Sequence, residues 1–261
     1  MRTPRLILPA ARPAPPAFTA AGTPDRPAVV LVAHGSRDPR AAVATEALAR
    51  AVRLDRPEWE VRASYLDHDG PRPLDVLASL GARRAVLVPL LLTAAYHGRV
   101  DLPAVIRAAE SLPVSVTATD VLGPASPLLL AAVCRRLPRV SLDAVVLAAA
   151  GTRDAAARQT VAAAAEALGA RLGLPSAVGY ASGPGGTAGE AVAALHSAGA
   201  RRVGMAAYFL APGLLYDVAA RSARDAGAVA IAEPLGAAPE LVRLVAARAE
   251  AALGVPLAAA A

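Results

Sequence analysis

Two histidines stand at comparable places in the first half of this chain, and the second half repeats their surroundings without them. The apolar run 29–33 leads into His34, Gly35, Ser36, Arg37, Asp38 and Pro39. The run 86–92 leads on through Tyr96 to His97, Gly98, Arg99, Asp101 and Pro103. Each reads as a buried strand followed at once by a histidine and then a helix start. In the second half 145–149 leads into Ala150, Gly151, Thr152, Arg153 and Asp154, and 203–209 leads towards Gly213, Leu215 and Asp217. His34 aligns with Ala150 and His97 with Leu215. A scaffold kept twice with imidazoles kept once implies one working site and one decayed copy. Neutral imidazole ligates metals and moves protons near neutral pH, so metal handling or acid/base chemistry is the expectation.

Other groups converge on the same place. In open parallel sheets the ligand crevice lies beyond the carboxyl ends of the strands. His34 and His97, each read as following a strand directly, should share that crevice. Asp67 closes the next strand, within Tyr65, Leu66, Asp67, His68 and Asp69. It is a candidate third ligand or base, since borderline divalent metals accept imidazole with carboxylate. His68 is the weaker candidate, because strand neighbours face opposite ways. Arg37 and Arg99 could take substrate carboxylates in bidentate forks, and Ser36 joins them as a substrate-binding candidate. Gly35 and Gly98 permit close backbone approach. His196, on a helix of the second half, reads as a surface residue.

The elements that must position these groups alternate regularly. After strand 29–33, Asp38 offers an N-cap and Pro39 a first helical residue. Strands are read near 61–66, 85–92 and 114–118, with helices near 73–80, from Asp101 and Pro103, and up to about 137. The order then restarts with strands 145–149, 177–180, 203–209 and 229–232 and helices 155–172, 189–198, from 214, and 240–253. Gly81, Ala82, Arg83 and Arg84 recur as Gly199, Ala200, Arg201 and Arg202, at the offset that relates His97 to Leu215. The fold class is therefore α/β: two tandem Rossmann-like parallel-sheet halves, a pseudo-two-fold repeat. The expected organisation is a disordered Pro/Ala-rich leader over 1–27, a histidine-bearing half over 28–140, and a degenerate half over 141–261. The Gly-rich stretch 182–186 lacks the lysine and spacing of a phosphate loop.

Composition narrows the function. Of 261 residues 55% are hydrophobic and only 3% aromatic, so the core is built from Ala, Val and Leu. All 27 basic side chains are arginine, and the net charge is +6, which favours an acidic partner. The arginines form no stripe and stacking aromatics are scarce, which argues against nucleic acid. No apolar run reaches the roughly 20 residues of a membrane span. The single cysteine, Cys134, permits no intrachain disulfide and reads as a small core residue.

Together, Ala33 to Pro39, Tyr65 to Asp67, and Pro89 to Thr93 with His97 to Pro103 resemble the class II tetrapyrrole chelatases. More narrowly, they resemble the sirohydrochlorin ferrochelatase and cobaltochelatase family, over about 28–253. The resemblance implies two stacked Rossmann-like halves with the acidic tetrapyrrole sirohydrochlorin in the cleft between them. It implies a divalent metal as substrate, Fe2+ or Co2+ with Ni2+ as a third candidate, delivered by His34 and His97 without a nucleotide cofactor. Two positions depart from the family pattern: Asp67 where Glu is usual, and Ala94 and Ala95 where glycine is usual. The expectation is a cytoplasmic lyase, monomer or homodimer, with His34 and His97 catalytic, His34, His97 and Asp67 on the metal, and Arg37, Arg99 and Ser36 on the substrate. The alternatives are a non-catalytic metal carrier or tetrapyrrole-binding protein of the same fold, and a hydrolase using Ser36. The latter lacks the strained turn that exposes a nucleophilic serine.

Overall fold

In the computed structural model residues 26–93, 96–124 and 126–254 are described, the side chains of 96–101 excepted. Residues 1–25 of the expected leader lie outside them. The first half runs β1 (Ala28–Ala33), α1 (Pro39–Asp55), β2 (Glu60–Tyr65), α2 (Pro73–Ser79), β3 (Arg84–Pro89), α3 (Tyr96–Ala109), β4 (Ser115–Ala118) and α4 (Pro127–Arg136). The second runs β5 (Ala144–Ala149), α5 (Ala155–Leu172), β6 (Ser176–Tyr180), α6 (Ala188–Ser197), β7 (Val203–Tyr208), α7 (Leu214–Asp225), β8 (Ala230–Ile231) and α8 (Pro239–Leu253). Each half is a four-stranded parallel sheet, ordered β2-β1-β3-β4 and β6-β5-β7-β8. The expected α/β repeat is what the chain forms.

Strand composition follows from this layering. β1 and β5 are buried on both faces, which is why Ala28–Ala33 and Ala144–Ala149 read as unbroken apolar runs. Side chains alternate across each sheet. Val29 and Leu31 join a central cluster with Val145 and Leu147, while Val30 and Val32 face Val76, Leu77 and Leu102 of the outer helices. The central cluster draws on α1, α4, α5 and α8 together. The molecule is thus layered as outer helices, sheet, shared helices, sheet, outer helices.

The last helix of each half crosses to the other. α4 packs on β7 and α5 of the second half, and α8 packs on α1 and β3 of the first. Polar locks secure the exchange. Arg135 of α4 donates to both carboxylate oxygens of Glu240 on α8 at 2.8 and 2.9 Å, and Arg136 donates to the Leu235 carbonyl. Arg56, after α1, donates to Glu250 at 2.8 Å. At the other end, Arg26 donates to the carbonyls of Pro57, Glu58 and Trp59, and Pro27 accepts from Glu60 at 3.0 Å. The chain is therefore fastened to β2 before β1 begins.

Two boundaries differ from the sequence reading by three residues or more. β3 ends at Pro89, not near 92. α3 starts at Tyr96 and carries Pro103 inside it, so Asp101 and Pro103 are not its opening. A helix-start preference favours proline at the first turn, but an interior proline is tolerated at the loss of one backbone hydrogen bond. His97 therefore lies in the first turn of α3 and does not follow its strand directly.

Glu240 is almost fully buried, and the Arg135 guanidinium beside it holds its carboxyl below the usual range. A carboxylate with a depressed folded pKa stabilises above its unfolded value and loses that contribution as pH falls through the folded one. Glu240→Gln should melt below the parent at pH 7, with the gap closing as the solution is acidified below about 4. Melting curves across pH check this; a gap independent of pH would show that the ion pair is not the lock.

Candidate functional site

His34 stands where the first sheet reverses its strand order, between β1 with β2 on one side and β3 on the other. That switch point is where an open α/β sheet leaves a crevice. Leu66 N–H continues the ladder to the Ala33 carbonyl at 2.9 Å, and Leu90 N–H to the Val32 carbonyl at 2.8 Å. His34 is half-buried at the end of this framework. Its Nδ1 lies 3.0 Å from the Gly35 carbonyl. A carbonyl only accepts, so in the neutral ring Nδ1 carries the proton and Nε2 is the nitrogen with ligating electrons.

The loop after His34 is shaped by close approach. Gly35 has φ +92°, and a Cβ there would lie 1.7 Å from the Asp67 carbonyl oxygen. Asp67 N–H donates to the His34 carbonyl at 2.8 Å, and Ser36 N–H to the Asp69 carboxylate at 3.0 Å. Ser36 Oγ accepts from Asp38 N–H at 3.1 Å, and Asp38 caps α1 by accepting from Arg40 N–H at 2.9 Å. Ser36 therefore helps build the turn into α1. Arg37 beside it is exposed.

Asp67 lies two residues past the end of β2, in the loop facing His34. Its carboxyl is held below the ordinary range, first by the His68 backbone N–H at 2.8 Å, with the Arg72 guanidinium acting in the same direction. It is mostly exposed and stays ionised near neutral pH. His68 behaves otherwise than strand alternation predicts. Its φ of +61° turns it back, so that its ring centroid lies 6.3 Å from that of His34. The sequence signal was present, since Asp67 to Gly70 is turn-forming and His is among the residues that tolerate this conformation. The side chains of His97 and Arg99 lie outside the described residues, so only their backbone position in the first turn of α3 is assigned. Among the described residues no group of three His, Cys, Asp or Glu side chains gathers as a metal cluster.

Both halves border the site. A cavity of about 140 Å³ is lined by Ala33, His34, Thr45 and Leu90 from the first half and Leu210 and Gly236 from the second. A second cavity, of about 200 Å³, repeats it, with Ala149, Ala150, Val161, Tyr208 and Leu92 in the corresponding places. Ala150 thus occupies the position of His34. Its loop keeps the same architecture: Gly151 has φ +96°, a Cβ there would lie 1.9 Å from the Ser182 carbonyl oxygen, and Thr152 Oγ1 accepts from Asp154 N–H at 3.1 Å. Tyr65 and Tyr180 also correspond, each hydroxyl donating to a carbonyl of the helix that precedes its strand, Ala42 of α1 or Arg158 of α5. Burial pushes the Tyr65 phenol up to about 12, so it stays protonated.

Sequence reading missed Arg40. Its guanidinium spans the halves, 2.5 Å from Asp38 and 2.6 Å from Asp217 in the first turn of α7. No local pattern links residues so far apart in the chain. His196 is half-buried at the end of α6, with Nδ1 2.8 Å from the Ala200 carbonyl. Helix ends in a parallel sheet return to the edge opposite the crevice, so His196 serves a turn, away from the site.

The sequence model of the CbiX family matches residues 28–140 and again 144–252. The chain belongs to the CbiX family. No curated protein matches it in sequence. Among solved structures, it is similar to SirB from Bacillus subtilis with Fe3+, at 21% identity and a TM-score of 0.70, covering 86% of this chain and 94% of that one. It is similar to the sirohydrochlorin chelatase SirB from Bacillus subtilis subspecies spizizenii in complex with cobalt, at 21% identity and a TM-score of 0.71, covering 88% and 96%. It is also similar to CbiX, the terminal enzyme for biosynthesis of siroheme in denitrifying bacteria, at 21% identity and a TM-score of 0.58, covering 86% and 98%. These likenesses establish the fold. Among the described residues no helix is long and apolar enough to cross a membrane.

Gly35→Ala should be among the most damaging small substitutions in the chain. The added methyl collides with backbone, at a φ that L residues rarely adopt, so the two loops must separate. The expected result is a Tm lowered by several degrees. Gly81→Ala, where a Cβ meets nothing within 4 Å, should leave Tm within about a degree. Thermal melts of the pair check the contrast; equal melts would show that the loops are not clamped at residue 35.

Proposed function

We propose that this protein is a metal chelatase that inserts Fe2+ or Co2+ into sirohydrochlorin. Membership of the CbiX family and the fold shared with SirB support the reaction class. The observation that carries the reading is His34 itself. It is the histidine of a strand-end loop at the sheet switch point, in a cleft lined from both halves, while the matching loop carries Ala150. One half keeps the chemistry and both keep the shape.

The chemistry follows from the groups in place. Insertion replaces two pyrrole N–H protons with one divalent ion and releases two protons. His34 offers Nε2 as ligand, its tautomer set by the Gly35 carbonyl, and His97 is the second proposed ligand. Asp67, kept ionised, is the proposed carboxylate partner. As the metal passes to the macrocycle, each imidazole released can take one of the displaced protons. Arg37, Arg99 and the net charge of +6 favour the polycarboxylate substrate electrostatically. The two cavities are smaller than the roughly 300–1,000 Å³ of an enclosing ligand pocket. The macrocycle therefore lies along the cleft mouth, with the cavities behind it.

The test mixes purified protein with anaerobic sirohydrochlorin and Fe2+ or Co2+ and follows the absorption spectrum. His34→Ala and His97→Ala should each slow insertion by about 100-fold or more, about 2.7 kcal/mol in the barrier, with circular dichroism unchanged. His196→Ala should insert at the parental rate. Asp67→Glu should retain activity and Asp67→Ala lose about tenfold or more. Equal loss from His196→Ala would overturn the one-site reading. Metal binding without turnover in the parent would replace catalysis with metal carriage.

A further inference from the structure

We infer that His68, together with the Asp67 carboxylate that also serves the His34 site, forms a landing place just outside His34 where a divalent cation is held before it passes into the cleft. Among the described residues His68 is the one non-glycine at positive φ. L residues adopt that conformation rarely, and where they do it re-aims a side chain. Here it sets the imidazole against two groups at once: the His34 ring, centroid to centroid 6.3 Å, and the Asp67 carboxylate.

The donor geometry suits a shared cation. His68 Nε2 lies 3.5 Å from Asp67 Oδ2. That is longer than the roughly 2.7–2.9 Å of a charge-assisted hydrogen bond, so the pair is not closed on itself. A cation about 2.1 Å from each donor would subtend roughly 110° between them, close to tetrahedral. The other carboxylate oxygen, Oδ1, accepts the His68 N–H at 2.8 Å and so turns Oδ2 towards the ring. Mixed imidazole and carboxylate donors suit borderline ions such as Fe2+ and Co2+. The Asp67 side chain is 57% exposed and that of His68 32%, so the remaining coordination positions open to water.

The surroundings suit transit. Asp67 N–H on the His34 carbonyl and Ser36 N–H on Asp69 fix this loop to the His34 loop, so the distance from landing place to His34 is set by backbone. Two protein ligands hold an ion weakly. Arg72 Nη2, 4.0 Å from Asp67 Oδ1, weakens the hold further and favours release. The relay role rests on the chelatase reading; the site itself is tested by metal alone.

The chain has four histidines, so a full-length, untagged His34→Ala/His97→Ala double variant retains only His68 and His196. Titrating it with paramagnetic Co2+ should broaden the ring-proton NMR signals of His68 at concentrations at least tenfold below those that broaden His196. Adding Asp67→Asn should erase that difference. Signals that broaden together, or a difference that survives Asp67→Asn, would overturn the site. In the otherwise unaltered chain, His68→Asn, which retains a residue tolerant of this φ, should raise KM for the metal several-fold while kcat holds; an unchanged KM overturns the relay. A parent that inserts metal without selective broadening in the double variant sinks this inference alone. A parent that inserts none, with His68 still responding selectively, sinks the chelatase reading alone.

Discussion

The amide of Asp67 and the carbonyl of His34 meet at 2.8 Å across a gap that has no room for a β-carbon at residue 35. That contact joins the loops after β1 and β2, and the site is arranged around it. It sets where the imidazole begins, where the carboxylate loop runs and how α1 starts. Because it is made by backbone, it places no demand on the side chain at 34. The second half shows the result. Gly151 approaches the Ser182 carbonyl in the same way, Ser182 Oγ donates to the Ala150 carbonyl at 2.9 Å, and the loop persists with a methyl where the ring stood. Scaffold and chemistry are separable here.

The cleft has a second determinant in the shared middle layer. Leu241, Leu244 and Val245 of α8 are buried against the first sheet, and Leu129 and Val133 of α4 join the same cluster from the other side. A buried leucine is worth about 1.5–3 kcal/mol, so the halves are held at fixed spacing chiefly by apolar packing. The Arg40 bridge to Asp217 lies at the surface, where solvent screens such pairs and they add little to stability. Its effect is on the alignment of the His34 loop with α7.

Much of the fold was legible in the sequence. Residues 155–172 were read as a helix to the residue, and the Asp38–Pro39 start of α1 was read from its cap. The repeat offset placed both halves. Failures came where local preference met tertiary demands. Proline at 103 reads as a helix start, yet α3 runs through it. Alternation sends His68 away from the crevice, yet one left-handed residue brings it back. His34 and the Asp67 loop were found because a strand end and a glycine mark them. Arg40 and the helix exchange were not, since they depend on which surfaces meet after folding. The side chains of His97 and Arg99 lie outside the described residues, so their part of the site rests on sequence and resemblance.

The crossing of α4 and α8 bears on how such a molecule can be divided. A single half released at the crossing between 137 and 143 would hold out its last helix with no sheet beneath it, and its own middle face would stand partly bare. Two such fragments could satisfy one another only by trading those helices. The unit of folding is therefore the couple, whether its members are fused or separate. In an evolutionary sense the chain has the form expected when two helix-trading copies are joined end to end, after which one partner can lose its histidines without loosening the other.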